Sequence, residues 1–267
     1  MSPRTWTRVG SAALVALVAA CADSTSPNSR VTDAMMTRDA ASDAGEAASL
    51  DVAQMATGEA DAGLPSLVAA QSSSTTCTYS AATGRFACPT ITTAEGLTLN
   101  RSYAYYGGGA AQSAYSATTT DSINFQWTLK GTLQGAGRTA WLDHNRSLTV
   151  SGLAGAETQR SWSGSGVRTD SSVATADGRT RRSKLIATST VNQVVFKLPR
   201  STYPYPQSGS ITHDVTVTSA FEGAAGSTTR TGTRHVVVTF NGTRTASVVI
   251  GSTSCTLDLP TRVVSCP

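Results

Sequence analysis

Histidine and lysine are nearly missing from this 267-residue chain: three of each stand against eighteen arginines. So little histidine leaves scant material for a metal centre or an acid–base relay. Asp143 precedes His144, and His213 precedes Asp214. Neighbours in an extended strand face opposite ways, so neither pair can share a proton or a metal. Long apolar runs are also missing. The one apolar stretch, SAALVALVAA from Ser11 to Ala20, is about half the roughly 18 residues a transmembrane helix needs. No G-x-S-x-G elbow occurs: SWSGSG (161–166) has its serines and glycines in the wrong order. YYGGG (105–109) lacks the lysine and following helix of a phosphate loop. Carboxylates beyond residue 75 are few and isolated, so no glycosidase-like pair can be nominated. These absences together argue against catalysis, and no cofactor or metal is expected.

The N-terminus has a definite pattern. Arg4 and Arg8 precede the apolar run, and small residues follow it. A basic stretch, a short apolar core and small residues make a secretory signal peptide. Val18-Ala19-Ala20-Cys21 resembles the lipobox of bacterial lipoprotein signal peptides. That resemblance covers residues 1–21. It implies cleavage before Cys21, acylation of that cysteine (palmitate among the chains), and a membrane as the first partner. Ala22 is not the aspartate associated with inner-membrane retention, so the resemblance implies the outer membrane of the bacterial cell envelope.

Five cysteines are present, Cys21, Cys77, Cys88, Cys255 and Cys266. Acylation of Cys21 leaves four, enough for two disulfides in an oxidising compartment. Three pairings are possible. TCTYSAATGRFACP (76–89) and SCTLDLPTRVVSCP (254–267) share a layout, with cysteines eleven positions apart. If each folds as a hairpin, Tyr79 faces Phe86 and Leu257 faces Val264, on the same side as the cysteines. This favours the local pairing. Zinc ligands usually come as C-x₂₋₄-C, so this spacing argues against a metal site.

Three regions follow. Residues 1–20 form the signal peptide. Residues 21–75 carry the acylated cysteine and a stretch rich in Ala, Ser, Thr and Asp, with net charge −6 beyond Cys21. That composition predicts a disordered tether. GEAASLDVAQMA within it could turn helical but lacks a wide apolar stripe. Residues 76–267 reverse the sign to +8 and sustain no helical period. SITHDVTVTSAF alternates strictly, placing Ile211, His213, Val215 and Val217 on one buried face. Further strands are expected near 97–106, 122–131, 147–153, 158–168 and 184–198. A hairpin around Asn241-Gly242 is expected to use a three-residue loop, setting Val236 against Val248. The predicted fold is all-β: an antiparallel sandwich or a (half-)barrel meander that opens and closes with disulfide-clamped hairpins.

Arg179, Arg181, Arg182 and Lys184 cluster in DGRTRRSK. Such a cluster fits a patch for an anionic envelope polymer or lipid, without features that specify nucleic acid. It also fits a solvated surface, or pairing with the chain's own acidic segment. A charge run is usually a solvated face, so the second kind of role is expected. The tyrosines at 103, 105, 106, 203 and 205 could stack on sugars, but such residues more often fill or rim a β core. The function expected is therefore that of a lipoprotein whose β domain has a structural or binding role. The alternative is a carrier holding a lipid or other hydrophobic ligand in a curved sheet; an enzyme of unknown class ranks third.

Overall fold

The computed structural model describes residues 33–61, 77–135, 137–176, 178–223 and 226–267. Cys21, the signal peptide and the lipobox lie outside them. The order of elements is α1 (Asp33–Asp61), β1 (Thr78–Ser80), β2 (Arg85–Ala87), β3 (Ile91–Thr92), β4 (Thr98–Gly107), β5 (Ala110–Gln112), β6 (Ser122–Gly135) and β7 (Arg138–Ser151). Then come β8 (Gln159–Ala176), β9 (Arg179–Lys197), β10 (Ser208–Gly223), β11 (Gly226–Thr239), β12 (Thr245–Ile250), β13 (Thr253–Asp258) and β14 (Val263–Ser265). All the strands join one antiparallel sheet, in which β4 pairs with β6 and each later strand with the next. Of the two architectures the sequence allows, the meander forms, and it stays open: β1 and β14 are its two ends.

Both end hairpins form as the spacing predicts. Cys77 is bonded to Cys88 and Cys255 to Cys266. Tyr79 lies opposite Phe86, and Leu257 opposite Val264. A disulfide closing so short a loop contributes about 3 kcal/mol, chiefly by restricting the unfolded chain. Reduction of both should therefore lower the denaturant midpoint well below that of the oxidised protein. Peptide mapping without reductant should recover each hairpin as a single linked unit; a Cys77–Cys266 peptide would contradict the pairing.

Alternation then sorts each strand. In β7 the buried phase is Leu142, His144, Arg146, Leu148 and Val150; in β10 it is Ile211, His213, Val215, Val217 and Ser219. On the opposite face of β10 and β11, threonines pair across the ladder, Thr216 with Thr233 and Thr218 with Thr231. A bulge in β9 leaves Gln193 at a φ of 45° and moves the buried phase from Val191 to Val194, keeping Phe196 inside. The core gathers on this inner face, around Trp162, Phe196, Ile211, Val236, Val248 and Leu257.

Two expectations need correction. The β11–β12 register places Val236 opposite Ile250 and Val238 opposite Val248, two residues from the predicted pairing. The parity that buries the valines is kept. The loop is longer because Phe240 donates to the Gly209 carbonyl and Gly242 to that of Pro206, while Thr243 caps the Asn241 side chain. Burial and these loop bonds outweigh the two-residue turn.

The second correction concerns the acidic segment. Residues 33–61, expected within a disordered tether, form α1, which packs on the sheet through β10, β11, β12 and β14. Its buried stripe is Met36, Ala40, Ala41, Ala44, Ala47, Ala48 and Met55. Alanine contributes little to a hydropathy profile, yet its small side chain lets the helix approach closely and favours the helical backbone. Gly45 sits against Val264 and Leu257, where a side chain would have no room.

Candidate functional site: a charged belt beneath the helix

Three consecutive inward positions on β7 and β8 are not apolar. Leu129 of β6 lies opposite His144, which lies opposite Arg168; Trp127 lies opposite Arg146, which lies opposite Gly166. The second row continues through Ser189 of β9 to His213 of β10, while the first runs on to Ala187 and Val215. The result is a polar belt across the inner face, between the main core and a smaller cluster around Met36, Ala187 and Val215.

Glycine makes room for it. A Cβ at Gly166 would stand against Arg146, 2.6 Å from its Nη1. Arg146 therefore lies across the glycine, over the backbone of β8. Gly164, at a φ of 156°, clears Leu148 in the same way. The glycines of SWSGSG thus serve side-chain passage and not a nucleophile.

The belt is closed from above by carboxylates of α1. Arg146 Nη2 donates to Asp51 Oδ2 at 2.8 Å. Arg168 pairs with Asp43 of α1 and, at 3.2 Å, with Asp170 of its own strand. Asp170 also meets His144 Nε2 at 2.7 Å. At the start of the helix, Arg234 Nη2 donates to Asp33 Oδ1 at 2.6 Å, and Arg230 lies 3.7 Å from the same oxygen. The basic surplus of the sheet is thus partly matched by the acidic segment of the same chain.

Desolvation opposes this arrangement. Burial pushes the Asp51 carboxyl above its ordinary value, and the Arg146 guanidinium only partly pulls it back. Asp39 and Glu46 are likewise raised by burial, with Arg181 and Arg262 respectively acting against it. A buried pair of this kind fixes orientation more than it adds strength.

His213 is the most deeply buried titratable group of the belt, with 1% of its surface exposed. Its Nδ1 is 3.0 Å from Ser189 Oγ, and its Nε2 has no partner. Burial first, then Arg146 and Arg168, push its pKa down to about 3. A serine and a histidine therefore do meet here. The imidazole is too weak a base to draw the serine proton, and the hydroxyl lies buried. The depressed value makes a testable mark. The unfolded chain binds a proton near pH 6.5 that the folded chain refuses until about pH 3. Stability is complete above pH 6.5 and falls as the pH drops through that window. His213→Asn should flatten this slope in urea titrations at pH 7 and pH 4.5.

Beside α1 the belt opens into a cleft. Leu142, Leu185 and Val217 line it together with Asp39, Asp43, Glu46, Arg138 and Arg181. At the other end of the inner face an aromatic run extends from the first hairpin. Phe86 stacks on Tyr103 at 4.9 Å and meets Tyr79 at 5.0 Å, while Phe125 stacks on Trp162 at 5.6 Å. Tyr105 joins this run and Tyr205 packs on the core, while Tyr203 is partly exposed under Lys197. Tyr103 and Tyr105 fill core space and do not form an open platform.

The basic cluster does not form one patch. Period-two alternation turns Arg181 toward the cleft with Ser183 and Leu185, and sends Arg182 and Lys184 to the other face. Arg182 lies 3.6 Å from Glu222, and Arg179 is exposed at the hairpin. The two adjacent acid–histidine pairs separate as expected: Asp143 bonds Lys130, and Asp214 bonds His235 across the ladder. Among the described residues, no group of three His, Cys, Asp or Glu could hold a metal ion. Sequence reasoning singles out neither Arg146 nor Arg168, because their acidic partners Asp51 and Asp43 lie far off along the chain. The available signal was charge in the buried phase of a strand, with glycines opposite.

No protein-family model, curated protein or solved structure matches this chain.

Proposed function

We propose that this is an exported lipoprotein, acylated at Cys21 and held at the bacterial outer membrane, whose sheet domain acts by binding and not by catalysis. The observation that carries the reading is the cysteine count. Four of five cysteines are used in local disulfides, leaving one, and it stands at the lipobox position. Disulfides persist in oxidising compartments, which fits export. Binding is favoured over catalysis because the inner face offers apolar surface and fixed arginines, while the Ser189–His213 contact holds a disabled base. The carrier reading gains specific support from the same surface, two apolar clusters flanking the polar belt beneath one alanine-rich helix.

Mass spectrometry of the mature protein is the test. The N-terminal peptide should begin at Cys21 and carry the mass of acyl chains, and Cys21→Ser should leave an uncleaved precursor. A free Cys21 thiol, or cleavage elsewhere, would overturn the proposal.

A further inference from the structure

We propose that the inner face beneath α1 binds an anionic phospholipid, and that α1 occupies the site as an internal stand-in for it. The inference rests on reading the domain as a binding module, and it names the ligand class and the gate.

The chemistry of the contact leads there. The face that α1 turns to the sheet combines a strip of methyl groups with carboxylates, Asp43 and Asp51. An apolar body with an anionic head is also the make-up of a phospholipid. The sheet supplies the complement without help from the helix. Arg146 is guided across β8 by Gly166, and Arg168 is held by Asp170 on its own strand. Both arginines are more than nine-tenths buried. Were α1 to leave alone, Arg146 would give up Asp51, and Arg168 would give up Asp43 while keeping Asp170. An incoming phosphate replaces those carboxylates, since the planar guanidinium can donate two parallel hydrogen bonds to its oxygens.

Two further features fit a larger anion than a carboxylate. Among the described residues, His213 Nε2 is buried without a partner, and so is the Trp127 indole nitrogen, directly across the ladder from Arg146. A tetrahedral phosphate spreads its acceptor oxygens over a wider angle than a single planar carboxylate does. The helix is also free to leave without breaking a ladder, since the strands pair with strands alone. Its hold is weakened by the desolvation that raises Asp51.

Phospholipids brominated on their acyl chains test this on the mature, acylated chain. Trp127 and Trp162 face the proposed chain path, while Trp141 is exposed on the other face and is replaced by Phe in every sample. Brominated phosphatidylglycerol should quench the remaining emission, and brominated phosphatidylcholine should not. Asp51→Asn loosens the stand-in and should reach half-quenching with about tenfold less lipid, because less of the protein is held in the closed state. The double variant Asp51→Asn/Arg146→Gln removes both charges while keeping polar side chains, and should lose the preference for phosphatidylglycerol. Circular dichroism establishes that each variant is folded. Equal quenching by the two headgroups, no quenching in Asp51→Asn, or a preference that survives in the double variant would each overturn the proposal. These outcomes are independent of whether Cys21 is acylated, so a failure here leaves the lipoprotein reading to its own test.

Discussion

Asp51→Ala should destabilise the docked helix by about 3–5 kcal/mol, the range for removing one partner of a buried ion pair. The loss comes less from the missing attraction than from the Arg146 guanidinium, which keeps its burial and loses its counter-charge. Replacing both partners with apolar residues of similar size, Asp51→Leu with Arg146→Met, should be close to neutral by the same principle. The loss also has a ceiling. If undocking α1 requires less free energy than burying a lone guanidinium, the helix will leave and Arg146 will hydrate. Limited proteolysis distinguishes these outcomes: cleavage within residues 33–61, with the disulfide-closed sheet intact, marks undocking. Denaturant midpoints of the single and double variants give the coupling between the two residues. Equal losses in Asp51→Ala and in the double variant would mean that the charges are not coupled.

Gly164→Ala should be among the more damaging conservative changes in the sheet, at about 2–5 kcal/mol from backbone strain together with overpacking. The added Cβ would meet the Ser147 carbonyl oxygen and stand 2.8 Å from the Leu148 Cα, both backbone atoms of the neighbouring strand. Neither can move without opening the β7–β8 ladder. Gly135→Ala is the matched control. Its nearest neighbour would be 3.9 Å away, so its midpoint should stay within about 0.5 kcal/mol of the parent. Similar losses in the two variants would show that the clearance at Gly164 is not a constraint.

The parts of this fold that the sequence makes legible are those where one local rule acts alone. Cysteines eleven apart with an apolar pair between them specify a hairpin, and SITHDVTVTSAF specifies a strand with His213 inside. Where two rules compete, the reading fails in an explicable way. The Asn241-Gly242 turn gives way to loop hydrogen bonds around Phe240. The strand expected at 147–153 starts earlier, at Arg138, and takes in WLDHN because His144 and Arg146 meet partners from other elements. Helix α1 is the largest omission. Its stripe is alanine, and its acids stand beside that stripe because the opposing surface is basic. A hydropathy pattern assumes an apolar surround, and this helix meets arginines. The belt could not be read from either segment separately, since Asp51 and Arg146 are ninety-five residues apart.

The clamped hairpins have a consequence beyond stapling. An open sheet presents backbone donors and acceptors along its two borders, a template for joining another copy. Here one border of β4 is divided among three short pieces, β2, β3 and β5, and β1 lies outside β2. The other border ends in β14, three residues long and closed by the last disulfide. Neither border offers a long straight strand. Copies crowded side by side on one surface would find little to zip onto, so the molecule can remain open-edged and still stay separate from its neighbours.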